Sequence, residues 1–285
     1  MAGHGPAKGL RGADQDGSAR AMSEFDPDIL RVAHLMADAA RAAILPHFRA
    51  PGLIADNKDN AGYDPVTIAD RKAERAMRDV LAAHRPRDGI LGEELGQIDG
   101  QSGLTWILDP IDGTRGFVSG TPTWGVLIAL ADVDGPFFGI IDQPYIGERF
   151  IGTPKGAWLE APQGNHALAT RSARDLGEAT VFTTFPEVGT GAERTAFEAV
   201  ATQAKLTRFG MDCYAYALLA AGQVDLVIEA GLQPYDIAAP IAVVQAAGGI
   251  VTNWDGAPAH AGGRALAAAN ADIHAQALAL LKGTL

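Results

Sequence analysis

Residues 106–117, which read WILDPIDGTRGF, constrain the fold of this chain more than any other stretch. The stretch opens with apolar residues that favour a buried strand. It continues into residues that cannot extend one, so we expect the strand to end before Asp109. The turn that follows carries Asp109 and Asp112 around Pro110, whose φ is fixed, with the carbonyl of Ile111 between them. Three oxygen atoms that can point at one spot outline a site for a hard cation.

The two residues after this turn favour an anion beside the cation. Gly113 and Thr114 supply backbone N–H groups and a hydroxyl, and a helix that starts there would favour a phosphate at its N-terminus. The alternative is a purely structural turn, because Asp-Pro-x-Asp-Gly sequences commonly end strands. The choice between the two depends on carboxylates elsewhere in the chain.

Length and composition limit the class of protein. With 285 residues, 47% of them hydrophobic, the chain can bury a core for two lobes or for one large α/β unit. The net charge of -11 argues against a nucleic-acid or anionic-membrane partner, since both need clustered lysine and arginine. The single cysteine, Cys213, excludes an internal disulfide, fits the cytoplasm and is interpreted as a packed thiol.

Two further features of the sequence bear on the location of the protein. No apolar run approaches the roughly 18 to 20 residues that span a bilayer. Residues 1–23 lack the apolar segment of a signal peptide and are rich in glycine, alanine and charge, so we expect a disordered extension without chemistry. We therefore expect a cytoplasmic protein.

The spacing of apolar residues predicts an α/β (α+β) fold in two lobes. In residues 24–164 we expect helices over 27–45 and 68–84, a polar loop over 53–64, a strand over 89–92, and later strands joined by tight turns, which are typical of an antiparallel sheet. In residues 165–285 strands alternate with helices, as in an α/β unit with a mixed sheet. There we expect strands over 181–184, 206–209, 225–229, 250–254 and 265–269, and helices over 192–204, 214–221, 235–247 and 273–281.

Acidic residues recur at the predicted strand ends and helix starts, namely Asp70, Glu93, Asp109, Asp112 and Asp236. Each has an ordinary interpretation when taken alone. Asp70 and Asp236 suit the first turn of a helix, and Glu93 suits a solvated surface. Because buried carboxylates are costly unless something neutralises them, one shared cation explains the whole set better than separate reasons do.

Several motifs occur in one order along residues 25–285: Gly-Glu-Glu at 92–94, Trp-x-x-Asp-Pro-x-Asp-Gly-Thr-x-x-Phe at 106–117, Asp-x-Ala-Ala at 236–239 and Ala-Gly-Gly at 247–249. Together they resemble the inositol monophosphatase family of Mg²⁺-dependent, lithium-sensitive phosphatases. One departure is Tyr235, where many members have tryptophan. The resemblance implies a layered α-β-α-β-α sandwich of the sugar-phosphatase type and a homodimer that acts on a small phosphate monoester.

The resemblance also implies roles for the acidic residues. One Mg²⁺ ion would be held by Glu93, Asp109 and the Ile111 carbonyl, and a second by Asp109, Asp112 and Asp236. A third, weaker ion is expected near Glu93. We therefore count Glu93 among the catalytic residues as well as among the metal ligands.

The same resemblance assigns the attacking water and the phosphate. Asp70 and Thr114 would orient and deprotonate the water, and Gly113 and Thr114 would bind the phosphate. Lys58 is a further candidate on the metal or phosphate side. Oxygen ligands are those that hard Mg²⁺ requires, and no serine, cysteine or histidine nucleophile is needed.

Asp212 and Glu229 bear on the identity of the substrate. In inositol phosphatases the position of Asp212 is usually small and neutral, whereas an aspartate there, together with Glu229, suits a cationic leaving group such as histidinol. Motifs at 120–130, 139–144 and 212–216 resemble the histidinol-phosphatase branch, so we predict a histidinol-phosphate phosphatase. Arg208 would pair with one of these acids or contact the phosphate side.

Three alternatives remain open at this point. Asp212 can instead be the N-cap of the helix at 214–221. The substrate can be inositol phosphate or another sugar or nucleotide monophosphate. Finally, some relatives act as protein partners of the transcription machinery, a binding role that is compatible with catalysis.

Overall fold

The structure is a computed structural model that describes residues 25–53, 55–57, 65–172 and 174–284. The predicted extension, residues 1–23, and Lys58 lie outside the described residues. The described residues form seven α-helices: α1 Pro27–Ile44, α2 Ile68–His84, α3 Thr114–Ser119, α4 Gly191–Ala201, α5 Asp212–Ala220, α6 Pro234–Ala246 and α7 Ala271–Thr284. None of them is long and apolar enough to cross a membrane.

The first half of the chain forms one large sheet and a small hairpin. The hairpin pairs β1 (Ala55–Asn57) with β2 (Pro65–Thr67). The sheet consists of β3 Gly89–Gly92, β4 Gly96–Ile98, β5 Thr105–Asp112, β6 Gly125–Asp132, β7 Gly135–Gln143, β8 Glu148–Thr153, β9 Gly156–Glu160 and β10 His166–Ala167. Its order is β10-β9-β8-β7-β6-β5-β3-β4. The predicted antiparallel sheet is confirmed, with one parallel pair, β3 and β5.

The second half forms a mixed sheet, as predicted. Its strands are β11 Thr180–Thr183, β12 Leu206–Phe209, β13 Leu226–Leu232, β14 Ile250–Thr252 and β15 Gly263–Ala268, in the order β12-β11-β13-β15-β14. β11 runs parallel to β12 and β13, whereas β15 runs antiparallel to both of its neighbours.

Three apolar clusters fill the space between five layers of secondary structure, and the cluster around α5 and α6 contacts both sheets. Trp106 and Leu108 of β5 pack with α1 and α2, whereas Ile107 between them packs with α5 and α6. On β13, Val227 faces the cluster of α5 and α6, and Ile228 faces that of α4 and α7. Because successive side chains of a strand point to opposite faces, both sheets are covered on both sides. The predicted α-β-α-β-α sandwich is confirmed.

Helix α6 lies directly on the first sheet, because glycines on the strands leave it room. A Cβ on Gly152 would lie 2.5 Å from Val243 Cα, and one on Gly139 would lie 2.7 Å from Ala239 O. Distances this short exclude any side chain at these strand positions. The close approach brings the N-terminus of α6, which carries Asp236, to the end of the sheet where β5 finishes.

The structure corrects one expectation about β5. The strand does not end before Asp109 but continues to Asp112, which still pairs with Gly125. Its register shifts between Asp109 and Asp112. Such a bulge accommodates Pro110, which has no N–H to donate, without ending the pairing.

Other differences are local. Residues 55–57, expected in a loop, form β1, and β2, β4 and β10 were not predicted. A helix does begin at Thr114. The first sheet reaches Ala167, and α5 and α6 pack against both sheets, so the division into lobes at residue 164 stays a prediction.

Candidate active site

Three carboxylates converge where the bulge of β5 meets the start of α6. Asp109, Asp112 and Asp236 each have an oxygen within 4.8 Å of the others. The N–H of Ile111 donates to Asp109 Oδ1 at 3.0 Å, and the N–H of Gln233 donates to Asp236 Oδ2 at 2.7 Å. These bonds hold two of the side chains in place, and the donor set consists of oxygen atoms, as a hard cation requires.

The electrostatics of this group favour a bound cation. Burial, and then the charges of Glu93, Asp112 and Asp236, raise the pKa of Asp109 well above its ordinary value. Burial and the charge of Asp236 likewise raise the pKa of Asp112, although a 2.6 Å hydrogen bond from the Cys213 N–H opposes the rise. A divalent cation would relieve this repulsion between neighbouring carboxylates. The residues therefore fit Mg²⁺.

Glu93 reaches this group through strand pairing. It follows β3, which lies parallel to β5 with Gly92 opposite Leu108. The Glu93 N–H donates to the Leu108 carbonyl at 3.2 Å. The charge of Glu93 is, after burial, the largest cause of the raised pKa of Asp109. Two residues 16 positions apart thus meet because the ends of parallel neighbours lie side by side.

Asp70 and Thr114, predicted to activate water, lie next to each other beside the three carboxylates. Asp70 is buried, and Thr67 donates to its Oδ2 from both N–H and hydroxyl, at 2.8 and 2.6 Å. The Thr114 hydroxyl lies 3.5 Å from Asp70 Oδ1 and 3.0 Å from the Ile111 carbonyl. Asp70 therefore has the ordinary role of an acid in the first helical turn and also keeps one oxygen directed at Thr114.

A cavity of about 380 Å³ extends from the carboxylates to Glu229. Glu229 is 6% exposed, and it accepts hydrogen bonds from the Thr184 N–H at 3.1 Å and from the Tyr216 hydroxyl at 3.0 Å. Burial raises the pKa of Glu229, and these hydrogen bonds act in the opposite direction. The carboxylate is thus held rigidly in the cavity wall.

Asp212 lines the same cavity in an unusual backbone conformation. Its φ is 45°, in the left-handed region that non-glycine residues other than Asn and Asp seldom adopt. The alternative role as an N-cap is wrong, because Met211 is the N-cap of α5 and Asp212 is the first helical residue. Its Oδ2 lies 3.4 Å from the Thr123 hydroxyl. Burial and the charge of Glu229 raise the pKa of Asp212 to about 7.

Gly113 brings the two halves of the site into contact. Its φ is 84°, and a Cβ at this position would lie 2.7 Å from Asp212 Cγ. Both the backbone conformation and the lack of space therefore require glycine. The contact places Asp212 against the same turn that carries Asp112.

Arg208, predicted to pair with Asp212 or Glu229 or to contact the phosphate, does not line the cavity. It is exposed on β12, and the described residues that line the cavity do not include it. Its contact with the phosphate side stays a prediction. The arginine that does line the cavity is Arg115, whose guanidinium carbon lies 4.7 Å from the Phe185 ring centroid and whose charge lowers the pKa of Asp212.

Sequence reasoning missed Arg115, Tyr216 and Thr184 as residues of the cavity. Two of them had a usable signal. Arg115 directly follows Thr114, and Tyr216 lies four residues after Asp212, on the same face of a predicted helix. Thr184 had none, because its contact with Glu229 depends on the pairing of β11 with β13.

Comparisons with known proteins agree with this geometry. The model of the inositol monophosphatase family matches residues 27–283. The chloroplastic bifunctional phosphatase IMPL2 of Arabidopsis thaliana is 39% identical over 262 residues, which cover 88% of this chain and 74% of that protein. The histidinol-phosphatase of Streptomyces coelicolor is 34% identical over 261 residues, with 89% of this chain and 97% of that protein covered.

A solved structure supports the same assignment. An inositol monophosphatase from Zymomonas mobilis superimposes with a TM-score of 0.80 at 39% identity, covering 90% of this chain and 98% of its own. The family match covers nearly all of the described residues, and the acidic motifs that carry the resemblance converge on one cavity. This chain therefore belongs to the inositol monophosphatase family of phosphatases.

Proposed function

We propose that this phosphatase hydrolyses histidinol phosphate to histidinol and phosphate in an Mg²⁺-dependent reaction. The family accounts for the reaction class, and the substrate is the new element of the proposal. The observation that supports it is a pair of carboxylates, the buried Glu229 and the half-buried Asp212, in the wall of the cavity that also contains the acidic group.

Phosphate monoesters are dianions that water attacks extremely slowly. Bound Mg²⁺ would screen this charge, lower the pKa of water and stabilise the leaving oxygen. We assign one ion to Glu93, Asp109 and the Ile111 carbonyl and a second to Asp109, Asp112 and Asp236. A third, weaker ion near Glu93 stays a prediction.

The chain's own residues supply positioning and proton transfer. Asp70 accepts the proton of the attacking water, and the Thr114 hydroxyl, 3.0 Å from the Ile111 carbonyl, orients that water. The backbone N–H groups after Gly113 belong to the first turn of α3. The first N–H groups of a helix have no partner within the helix, so they suit the phosphate oxygens. The bond from Thr67 to Asp70 keeps the base in one rotamer.

Asp212 and Glu229 bind the leaving group of the substrate. The charge of Glu229 raises the pKa of Asp212, so the two acids disfavour each other's ionisation. A cation between them would stabilise both ionised forms. Histidinol carries an ammonium and an imidazole and is such a cation, whereas inositol offers only neutral hydroxyl groups. IMPL2 and the Streptomyces histidinol-phosphatase are similar to this chain, but so is the Zymomonas inositol monophosphatase.

Turnover of three substrates tests the proposal. We expect kcat/KM for L-histidinol phosphate to exceed that for myo-inositol 1-phosphate and adenosine 3′,5′-bisphosphate by at least about 100-fold, as charge-assisted hydrogen bonds of about 1.5 to 3 kcal/mol each would provide. A preference for either of the other two substrates would refute it. The alternative, a broader inositol or sugar monophosphatase, is favoured if Asp212→Ala hardly changes the turnover of histidinol phosphate.

The remaining expectations concern assembly, location and protein partners rather than the chemistry of the site. A homodimer and a cytoplasmic location stay predictions. Sedimentation of the full chain measures the first, and a role as a protein partner stays an alternative that needs no change to the site.

A further inference from the structure

Glu74 is a buried acid that the proposed chemistry does not use. It lies on α2, four residues after Asp70, so both side chains project from the same face of the helix. Its side chain is fully buried, and it faces the turn that joins β3 to β4. This turn carries Glu93.

The Glu74 carboxylate binds the backbone of that turn directly. The Glu94 N–H donates to Oε2 at 2.6 Å, and the Leu95 N–H donates to Oε1 at 3.2 Å. Arg78, one helical turn further on, donates to Oε1 from Nε at 2.8 Å and also donates to the Gly96 carbonyl. The Glu74–Arg78 pair thus contacts three consecutive residues that follow Glu93.

Gly92 provides the space that this contact needs. A Cβ at position 92 would lie 2.0 Å from Glu74 Oε1 and 2.8 Å from Arg78 Nη2. No side chain fits there while the carboxylate stays in place. The glycine, the acid and the arginine form one arrangement around the turn, and the bond from the Glu93 N–H to the Leu108 carbonyl holds the other side.

We propose that Glu74, held by Arg78, is a positioning residue that fixes the turn so that Glu93 stays directed at Asp109. Helix α2 then sets two parts of the site at once, since Asp70 activates water and Glu74 places a metal ligand. The inference rests on the proposed function, because Glu93 is a proposed ligand of Mg²⁺. Glu74 itself is not among the described residues that line the cavity.

The substitution Glu74→Gln separates this role from a general contribution to stability. A carboxylate accepts from all of these N–H groups, whereas a glutamine offers one carbonyl oxygen and turns an NH₂ group towards other donors. We expect the turn to loosen and Mg²⁺ to bind at least about tenfold more weakly in calorimetric titration of the full chain. We also expect excess Mg²⁺ to restore most of kcat.

Asp88→Asn is the matched control. Asp88 is also a buried carboxylate, in the turn between α2 and β3, and it accepts from Arg85 Nε at 2.7 Å and from Trp106 Nε1 at 3.0 Å. It precedes β3, whereas Glu93 follows it. We expect Asp88→Asn to lower the melting temperature while its Mg²⁺ affinity stays within twofold of the unmodified protein.

A second variant, Arg78→Lys, serves if Glu74→Gln does not fold. A lysine keeps the charge but cannot hold the Glu74 carboxylate and the Gly96 carbonyl together, so we expect a smaller weakening of Mg²⁺ binding in the same direction. Unchanged Mg²⁺ affinity in the folded variants, or an equal loss in Asp88→Asn, overturns the positioning role alone. An unmodified protein that fails to bind Mg²⁺ overturns the proposed metal site and this inference together.

Discussion

Replacing Asp212 with asparagine should stabilise the protein while impairing its catalysis. Asparagine has the same shape and adopts the left-handed backbone that the φ of 45° requires, so the change removes a charge without adding strain. It also keeps an oxygen for the Thr123 hydroxyl, which lies 3.4 Å from Asp212 Oδ2. The difference in stability between the two proteins therefore reports the electrostatic cost of Asp212.

The raised pKa of Asp212 gives the size and the sign of this cost. Burial and the charge of Glu229 raise it from 3.8 to about 7 in the folded protein. An acid with a raised folded-state pKa destabilises the fold as the pH rises from 3.8 towards 7, because only the unfolded chain then ionises freely. At about 1.36 kcal/mol for each pH unit, the cost at pH 8 is on the order of 4 kcal/mol, and at pH 5 it is about 1.6 kcal/mol.

Thermal unfolding in the presence of EDTA, followed by circular dichroism, measures this difference. At pH 8 we expect Asp212→Asn to melt roughly 4 to 8 °C higher than the unmodified protein, since each kcal/mol is worth roughly 2 °C in a chain of this size. The gap should shrink to less than half at pH 5. With Mg²⁺ present, kcat/KM for histidinol phosphate should fall by at least about tenfold. A variant that is no more stable than the unmodified protein at pH 8, or a gap that does not depend on pH, refutes the reasoning.

Three further substitutions test the metal site, the hydroxyl that orients the attacking water and the contact between the halves of the site. Asp109→Asn should lower Mg²⁺-dependent phosphate release by about 10³-fold or more, because it removes the shared ligand; unaltered release would contradict the metal assignment. Thr114→Val should lower kcat by about 10²- to 10⁴-fold with little change in calorimetric Mg²⁺ affinity, and Thr114→Ser should keep most of the activity. Gly113→Ala should cost about 2 to 4 kcal/mol in urea unfolding, from the left-handed backbone and the overlap with Asp212. Gly120→Ala shares the positive φ but has 3.6 Å of clearance, so it should lose less; equal losses would show that the overlap is unimportant.

Much of the local structure was predictable because local patterns report it. The apolar spacing and Asp26-Pro27 placed α1, and the whole of α2 and β3 was predicted to the residue. The acids in the first turns of α2 and α6 were recognisable as helix-start residues, and both also face the site. The resemblance of the 106–117 motif to a phosphatase family then joined these separate signals into one site.

Other features depended on contacts between distant segments. The bulge in β5 keeps a strand running through Asp109, Pro110 and Asp112, and it exists because β6 continues to pair beyond it. The position of Glu93 follows from the parallel pairing of β3 with β5. Residue spacing within one segment does not report which strand lies beside it, so neither feature could be derived from local pattern.

The sequence by itself determined most of the helices and strands, their order, the acidic motif and the resemblance to the family, because each of these is encoded in short stretches of neighbouring residues. Only the tertiary structure decided that Asp212 enters the cavity in a left-handed conformation against Gly113, that Arg115 rather than Arg208 lines it, and that Glu74 holds the turn of Glu93. The physical reason is that burial, charge repulsion and close packing arise between segments that are far apart in the chain and meet only in the folded protein.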